Sequence, residues 1–315
     1  MSSTSTADRA AVEAMLAGDA KRRERTDRVM TALIWLAFAL AVVPLISLLW
    51  TVASHGSVRF GIDFLSYSMR NVFGGMDAGG AHHAITGTLL ITFAAALTSV
   101  PIGLLVAIYL VEYGRNTALA RAVTFFVDVM TGIPSIVAGL FAVAVFVIFG
   151  GPGVRLGIMG AAALSLLMTP VVVRSCEEML RLVPNELREA SYALGVPKWL
   201  TIVKVVLRTS VAGLTTGVLL AIARVIGETA PLLMAAGLTA SINTNLFDGR
   251  MMTLPVFIYD QYRQGPVPCG AAAGECLAGV NIDRAWAGAL TLILIVVILG
   301  LLGRLVTRLF APKLR

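Results

Sequence analysis

Six long apolar stretches dominate the chain, at 29–53, 85–111, 122–149, 154–173, 209–236 and 285–303. A hydrocarbon core about 30 Å thick is crossed by roughly 20 apolar residues in a helix, and each stretch meets or approaches that length. The first, second and sixth carry no charged residue. Such runs have no polar face to offer water, and in lipid their backbone groups must be satisfied within the segment. With 57% hydrophobic and 14% charged residues, the chain lies outside the range of soluble globular domains. The expected fold class is all-α, a polytopic membrane protein with six transmembrane helices.

Lys and Arg orient it. Threaded through six spans with the N-terminus inside, the chain places 18 of its 25 Lys and Arg on inner segments and 6 on outer ones, with Arg224 inside a span. Cytoplasmic loops carry such an excess, so both termini are expected in the cytoplasm. The net charge of +7 reads as a topology signal rather than as affinity for nucleic acid. Residues 1–28 read as a polar tail, mobile or lying as a membrane-surface helix, with a weakly amphipathic patch around Ala10–Leu16. A secretory signal is disfavoured, because a charged segment of some length precedes an apolar run too long for one.

The inner segment 174–208 holds a short polar helix. Pro184 ends the preceding helix, Asn185 is placed to cap a new one, and Glu186 and Glu189 suit its positive end. Gly195 then terminates it, with Pro197 two residues beyond. On the outer side, Val256-Phe257-Ile258-Tyr259 reads as a re-entrant or surface helix. Cys269 and Cys276 share one outer loop, where an oxidising exterior permits a disulfide; spacing alone does not decide it. Cys176 lies near the inner end of span four, where thiols stay reduced. Pro101, Pro134, Pro170 and Pro231 fall within or near spans, which membrane helices tolerate when neighbours satisfy the freed carbonyl.

No phosphate-cradling Gly-x-x-x-x-Gly-Lys-Ser/Thr loop, no metal-ligand cluster and no Gly-x-Ser-x-Gly elbow is present. Catalysis on this chain is therefore poorly supported, and movement of a solute remains. Asp128, Arg224 and Glu228 fall well inside spans, where a charge costs about 2.5–3.5 kcal/mol. Arg224 and Glu228 are four apart, hence expected on one helix face. They form either an internal ion pair or part of a solute path, in which Arg224 grips an oxyanion with its fork. Glu228 then suits an anion that still carries a proton, as phosphate does and sulfate does not. Asp128 is expected to snorkel or pair with Arg121, and Arg174 to act as a topology anchor.

Glu189-Ala190-Ser191, with Gly195 four residues on and then Val205 and Leu207, resembles the cytoplasmic loop of ABC-importer permeases. Ala223-Arg224 with Gly227-Glu228-Thr229-Ala230-Pro231-Leu232 resembles the fifth-helix stretch of their phosphate-specific branch, and Gly132-Ile133-Pro134-Ser135-Ile136-Val137-Ala138-Gly139 its third. The resemblance covers about 85–305 and is to the PstA-type subunit. It departs at Ser191, where a second Ala is usual, at Val205, a common Ile, and at Arg208, a frequent Pro. It implies a type I importer permease fold in a bacterial inner membrane, with tails at 1–28 and 306–315, an accessory span and loop at 29–84, and a coupling helix at about 186–196. It implies that Glu189, Ala190, Ser191 and Gly195 dock on an ATPase, while Arg224, Glu228, Thr229 and Pro231 line the path. The implied partners are a PstC-type permease, a PstB-type ATPase dimer that holds the ATP and Mg, a PstS-type phosphate-binding protein and membrane lipid. Rival readings are a permease for sulfate, molybdate or phosphonate, an ion-driven secondary transporter, and an uncoupled channel subunit.

Overall fold

The computed structural model describes residues 6–114, 117–269 and 276–310, with the side chains of 23–308 within those ranges. The inner turn at Arg115 and Asn116, the patch side chains at Ala10–Leu16 and the whole loop 270–275 between the two outer cysteines lie outside that description. Among the described residues every regular element is helical, apart from one isolated antiparallel bridge between Met76 and Cys276.

Two units emerge, Met1–Ser54 and His55–Arg315. The first contributes most of α1 (Thr6–Gly56), 51 residues of uninterrupted helix and about 76 Å long at 1.5 Å per residue. The helix thus runs straight from the polar tail into the first apolar run, where the sequence suggested two separate segments. Its exposed Leu33, Ile34, Trp35 and Leu36 present apolar surface all round, as a lipid-embedded helix does.

The second unit holds α2 (Ile62–Ser66), α3 (His82–Ile108) with a π-turn (Tyr109–Tyr113), α4 (Ala118–Thr131), α5 (Ser135–Gly150), α6 (Gly157–Arg181), α7 (Asn185–Ala193), α8 (Lys198–Thr201) with a second π-turn (Ile202–Val206), α9 (Leu207–Val225), α10 (Ala230–Ala235), α11 (Leu254–Gln264) and α12 (Val280–Phe310). Five helical segments are long and apolar enough to cross a membrane: Arg23–Gly56, His82–Tyr113, Gly157–Arg181, Lys198–Val225 and Val280–Arg308. Taken together, α4 and α5 pass the same test as one segment bent by 106°.

That bend corrects the expectation of an unbroken third span over 122–149. Pro134 has no N–H and holds extended backbone at the N-cap of α5, while Gly132 caps α4. Proline disfavours helix in the residue before it, and a neighbouring glycine removes the resistance to turning. The fifth span, expected over 209–236, also breaks, at 226–229: α9 ends at Val225, and Pro231 stands in the first turn of α10, where its missing N–H has no helical partner to lose. Pro101 and Pro170, with no glycine just upstream, stay inside continuous α3 and α6.

The core forms where α3, α6 and α9 meet, around Ile91, Ala95, Leu164, Met168, Val172, Leu214 and Ala221. Between α3 and α6, Thr98 and Ser165 hydroxyls meet at 2.8 Å and Ser99 donates to the Ser165 carbonyl at 3.3 Å, hydrogen bonds of the kind that tie membrane helices together. Against α5, Gly139 lies so near α10 that a Cβ there would come within 2.6 Å of Pro231 Cα; the close approach requires glycine.

The two ends of α3 mark the two ends of this unit. At one, buried His83 meets the Phe257 ring of α11 edge-on at 5.6 Å. That helix is about 16 Å long by its 11 residues, too short to cross, and its Leu254, Pro255, Val256 and Phe257 are buried. At this end Arg284 is buried and donates to the carbonyls of Met76 and Ala78 and to Asn281 Oδ1, at 2.7, 2.8 and 2.9 Å. Cys269 and Cys276 are joined by a disulfide, Cα atoms 5.7 Å apart, beside the bond from Leu277 N–H to the Gly75 carbonyl. At the other end, Glu112 in the π-turn that follows α3 pairs with Arg188 of α7.

Candidate functional site

Two places in the second unit carry residues singled out by sequence: α7 with its flanks, and the break between α9 and α10.

The α7 helix spans nine residues, shorter than the expected 186–196, and its N-cap is Pro184 rather than Asn185. Its far end matches expectation in detail. Gly195 has φ +76°, its N–H bonds the Tyr192 carbonyl at 2.9 Å, and the Val196 N–H bonds the Ser191 carbonyl at 3.2 Å. This is the paired-bond ending that needs a left-handed residue. A Cβ at Gly195 meets nothing, so only backbone conformation opposes substitution. Gly195→Ala is therefore expected to weaken this ending by about 1 kcal/mol. Hydrogen exchange at the Gly195 and Val196 amides should accelerate about fivefold; unchanged exchange would refute the assignment.

Side chains along α7 divide by face. Glu189 and Ala190 are exposed, as are the large apolar Leu187, Tyr192, Leu194 and Trp199 nearby. Ser191 is buried, and its hydroxyl meets Thr201 Oγ1 at 2.8 Å, tying α7 to α8. An alanine at 191 has no oxygen for that bond. Arg208, at the second position of α9, leaves that helix intact.

What holds α7 in place is Arg188, which sequence reading counted only as an inner charge. Its side chain is 8% exposed and that of Glu112, 76 residues earlier, 4%. Arg188 Nη2 and Nε donate to Glu112 Oε1 at 2.8 and 3.0 Å, and the guanidinium also donates to the carbonyls of Leu180 and Val183, at 3.0 and 2.5 Å. One guanidinium thus binds the π-turn of α3, the end of α6 and the start of α7. Full use of its donors is what makes a buried ion pair tolerable.

Asp128 pairs with Arg174 across α4 and α6, not with Arg121. The Arg174 side chain also reaches Glu177 at 2.8 Å, and Glu177 in turn accepts from Arg181 at 2.6 Å. The proposed anchor Arg174 is therefore the centre of an inter-helix relay. Spacing along one chain carries no signal for a partner 46 residues away.

The second place departs most from expectation. Arg224 lies in the last turn of α9, the helix ends at Val225, and Glu228 stands in the break. The two do not share a helix face, and no ion pair joins them among the described residues. Arg224 is exposed, Glu228 and Thr229 are half-buried, and Pro231 is buried against Gly139. A cation in a C-terminal turn is favoured by the helix dipole. Depth follows from register. Gly213 abuts Met179 and Gly217 abuts Ser175, so α9 runs antiparallel to α6. Carried on at the same step, Arg224 falls level with about Met168, near the midpoint of α6 at 3.6 residues per turn. An unpaired cation at that depth requires water or another chain beside it.

Residues 99–315 match the family described as binding-protein-dependent transport system inner membrane component. The chain is 44% identical over 293 residues to phosphate transport system permease protein PstA 1 of Mycobacterium tuberculosis, covering 90% of each. It is 44% identical over 306 residues to the PstA protein of Mycobacterium leprae, covering 95% of this chain and 94% of that one, and 38% identical over 285 residues to that of Yersinia pestis, covering 88% of each. Among solved structures, a bacterial alginate ABC transporter in complex with its pentasaccharide-bound periplasmic protein superposes at a TM-score of 0.58 and 14% identity, over 91% of this chain and 94% of that one. An inward-facing methionine ABC transporter superposes at 0.54 and 18% identity, over 74% and 95%. The apolar helices, the break, the capped α7 and these likenesses converge: the chain belongs to the family of binding-protein-dependent transport system inner membrane components.

Proposed function

We propose that this chain is a permease subunit of an ATP-driven importer that carries inorganic phosphate across the bacterial inner membrane. The observation that carries this reading is the break at 226–229, which leaves Arg224 and Glu228 at mid-depth with no ion-pair partner among the described residues. Discontinuous helices near the bilayer midplane are where transporters bind substrate. Arg224 offers a bidentate fork to the phosphate oxygens, and Glu228 accepts from the proton that phosphate retains. Thr229 adds a hydroxyl, and Pro231 sets the start of α10. The names of the relatives point to the same substrate.

In this reading α7 faces the cytoplasm, in agreement with the excess of Lys and Arg there. Glu189 and Ala190 with the exposed Leu187, Leu194 and Trp199 form a mixed apolar and acidic face for a PstB-type ATPase, which holds ATP and Mg. Closure of that ATPase dimer pushes α7, and Arg188 passes the push to α3 and α6. A PstC-type permease completes the path, and a PstS-type protein delivers phosphate from outside. No enzymatic step is assigned to this chain.

Uptake of radiolabelled phosphate with and without the gene, in excess unlabelled sulfate, tests the reading. Gene-dependent uptake that ignores sulfate is the expected result. Uptake competed by sulfate would transfer the reading to another oxyanion, and gene-independent uptake in cells with no second phosphate system would remove phosphate altogether.

A further inference from the structure

Where α4 begins, the end of the unit that carries α7 holds a cavity of about 410 Å³, lined by Leu110, Gly114, Thr117, Arg121, Thr124, Glu177 and Arg181 among others. Its charges do not balance. Glu177, the carboxylate in the wall, is buried and already accepts from both Arg174 and Arg181. Arg181 is 67% exposed and keeps donors free, because one bond to Glu177 uses one of its five N–H groups. Arg121 is exposed, and no carboxylate among the described residues pairs with it. Around the cavity, Arg121, Arg174, Arg181 and Arg188 meet three bonded acids, Asp128, Glu177 and Glu112.

Arg121 also stands in an unfavourable place. It is the fourth residue of α4, whose first turn holds no acid, so a cation sits at the positive end of the helix dipole. An anion in the cavity relieves both. Thr124, one turn beyond Ala120, turns its side chain to the same cavity. One turn beyond Arg121, Phe125 is exposed and offers an apolar track leading away from it.

We infer that this cavity is a binding site for a phosphate group, gripped by Arg121 and Arg181 from α4 and α6 and separate from the Arg224 path. Two guanidinium forks from different helices suit a tetrahedral oxyanion with several equivalent oxygens. The group arrives either as the headgroup of an anionic phospholipid, whose chain follows Phe125, or as free inorganic phosphate on the side where an importer releases it. Basic pockets between helices at the cytoplasmic surface take lipid headgroups of this kind. The inference uses the proposed orientation of α7 but not the identity of the transported solute.

The test uses the purified importer complex carrying Arg224→Gln throughout, so that the path is silenced. In one arm the complex is placed in nanodiscs of phosphatidylcholine with added phosphatidylglycerol, and native mass spectrometry counts retained lipid. In the other, equilibrium dialysis without ATP counts radiolabelled inorganic phosphate bound in detergent. Arg121→Gln is expected to reduce retention or affinity at least tenfold in one arm, and Arg121→Lys, which keeps charge but loses the fork, by less. Loss confined to phosphatidylglycerol identifies a lipid site, and loss confined to phosphate identifies a product site. No selective binding in either arm, or binding that Arg121→Gln leaves intact, overturns the inference. Neither arm involves transport, so failure of phosphate import leaves the lipid arm readable.

Discussion

Arg188→Met is expected to destabilise the protein by about 3–5 kcal/mol, the penalty for stranding one member of a buried ion pair. The Glu112 carboxylate is 4% exposed, and Arg188 is its hydrogen-bond partner at 2.8 and 3.0 Å. The carbonyls of Leu180 and Val183 lose donors at the same time. Glu112→Gln should cost less, since Arg188 keeps both carbonyls and the amide oxygen still accepts. The double variant Glu112→Gln/Arg188→Met should recover part of the loss, because no charge is then left buried. Thermal unfolding of the assembled complex in detergent measures all three. A double variant no more stable than Arg188→Met alone would show that the lost carbonyl bonds, not the stranded charge, set the penalty. Glu112→Gln should also raise ATP hydrolysis per phosphate transported, if α7 transmits force through this bond.

Arg224→Gln should reduce phosphate uptake about 10- to 150-fold, the range for losing a hydrogen bond to a charged group at 1.5–3 kcal/mol. Folding should be spared, because the side chain is exposed and no ion pair within the described residues is lost. Glu228→Gln separates two meanings of the break. As an acceptor for the proton of phosphate, its carboxylate discriminates against sulfate, and a neutral amide that also donates should narrow the preference. Competition of labelled phosphate by sulfate in the Glu228→Gln strain reads this directly. Unchanged selectivity with unchanged uptake would make Glu228 a bystander and leave Arg224 alone in the path.

Some of this was readable in the chain and some was not, for reasons visible at single residues. Gly195 was legible as the terminator of α7 because a left-handed ending is a local property, decided by one residue without a side chain and its immediate neighbours. Arg188 was not, since its partner lies 76 residues away and the sequence around it reads only as one more inner cation. Arg224 and Glu228 were singled out by depth, and register with α6 places Arg224 near the midpoint of that helix. Their relation was misjudged, because spacing of four implies one face only where the helix continues, and here it stops at Val225. Ser191, a mild departure from the resembling loop, acquires its purpose only when Thr201 folds back to meet its hydroxyl.

The sequence by itself determined that the chain is helical and spans a membrane, because apolar length and backbone satisfaction in lipid are properties of each segment alone. It also determined the presence of a short polar helix between spans. Tertiary structure decided which charges find partners and which are left facing outward. Whether Asp128 or Glu112 is paired depends on what a distant segment brings within about 4 Å, close enough for Coulomb attraction and completed hydrogen bonds to offset desolvation, and no local pattern records that.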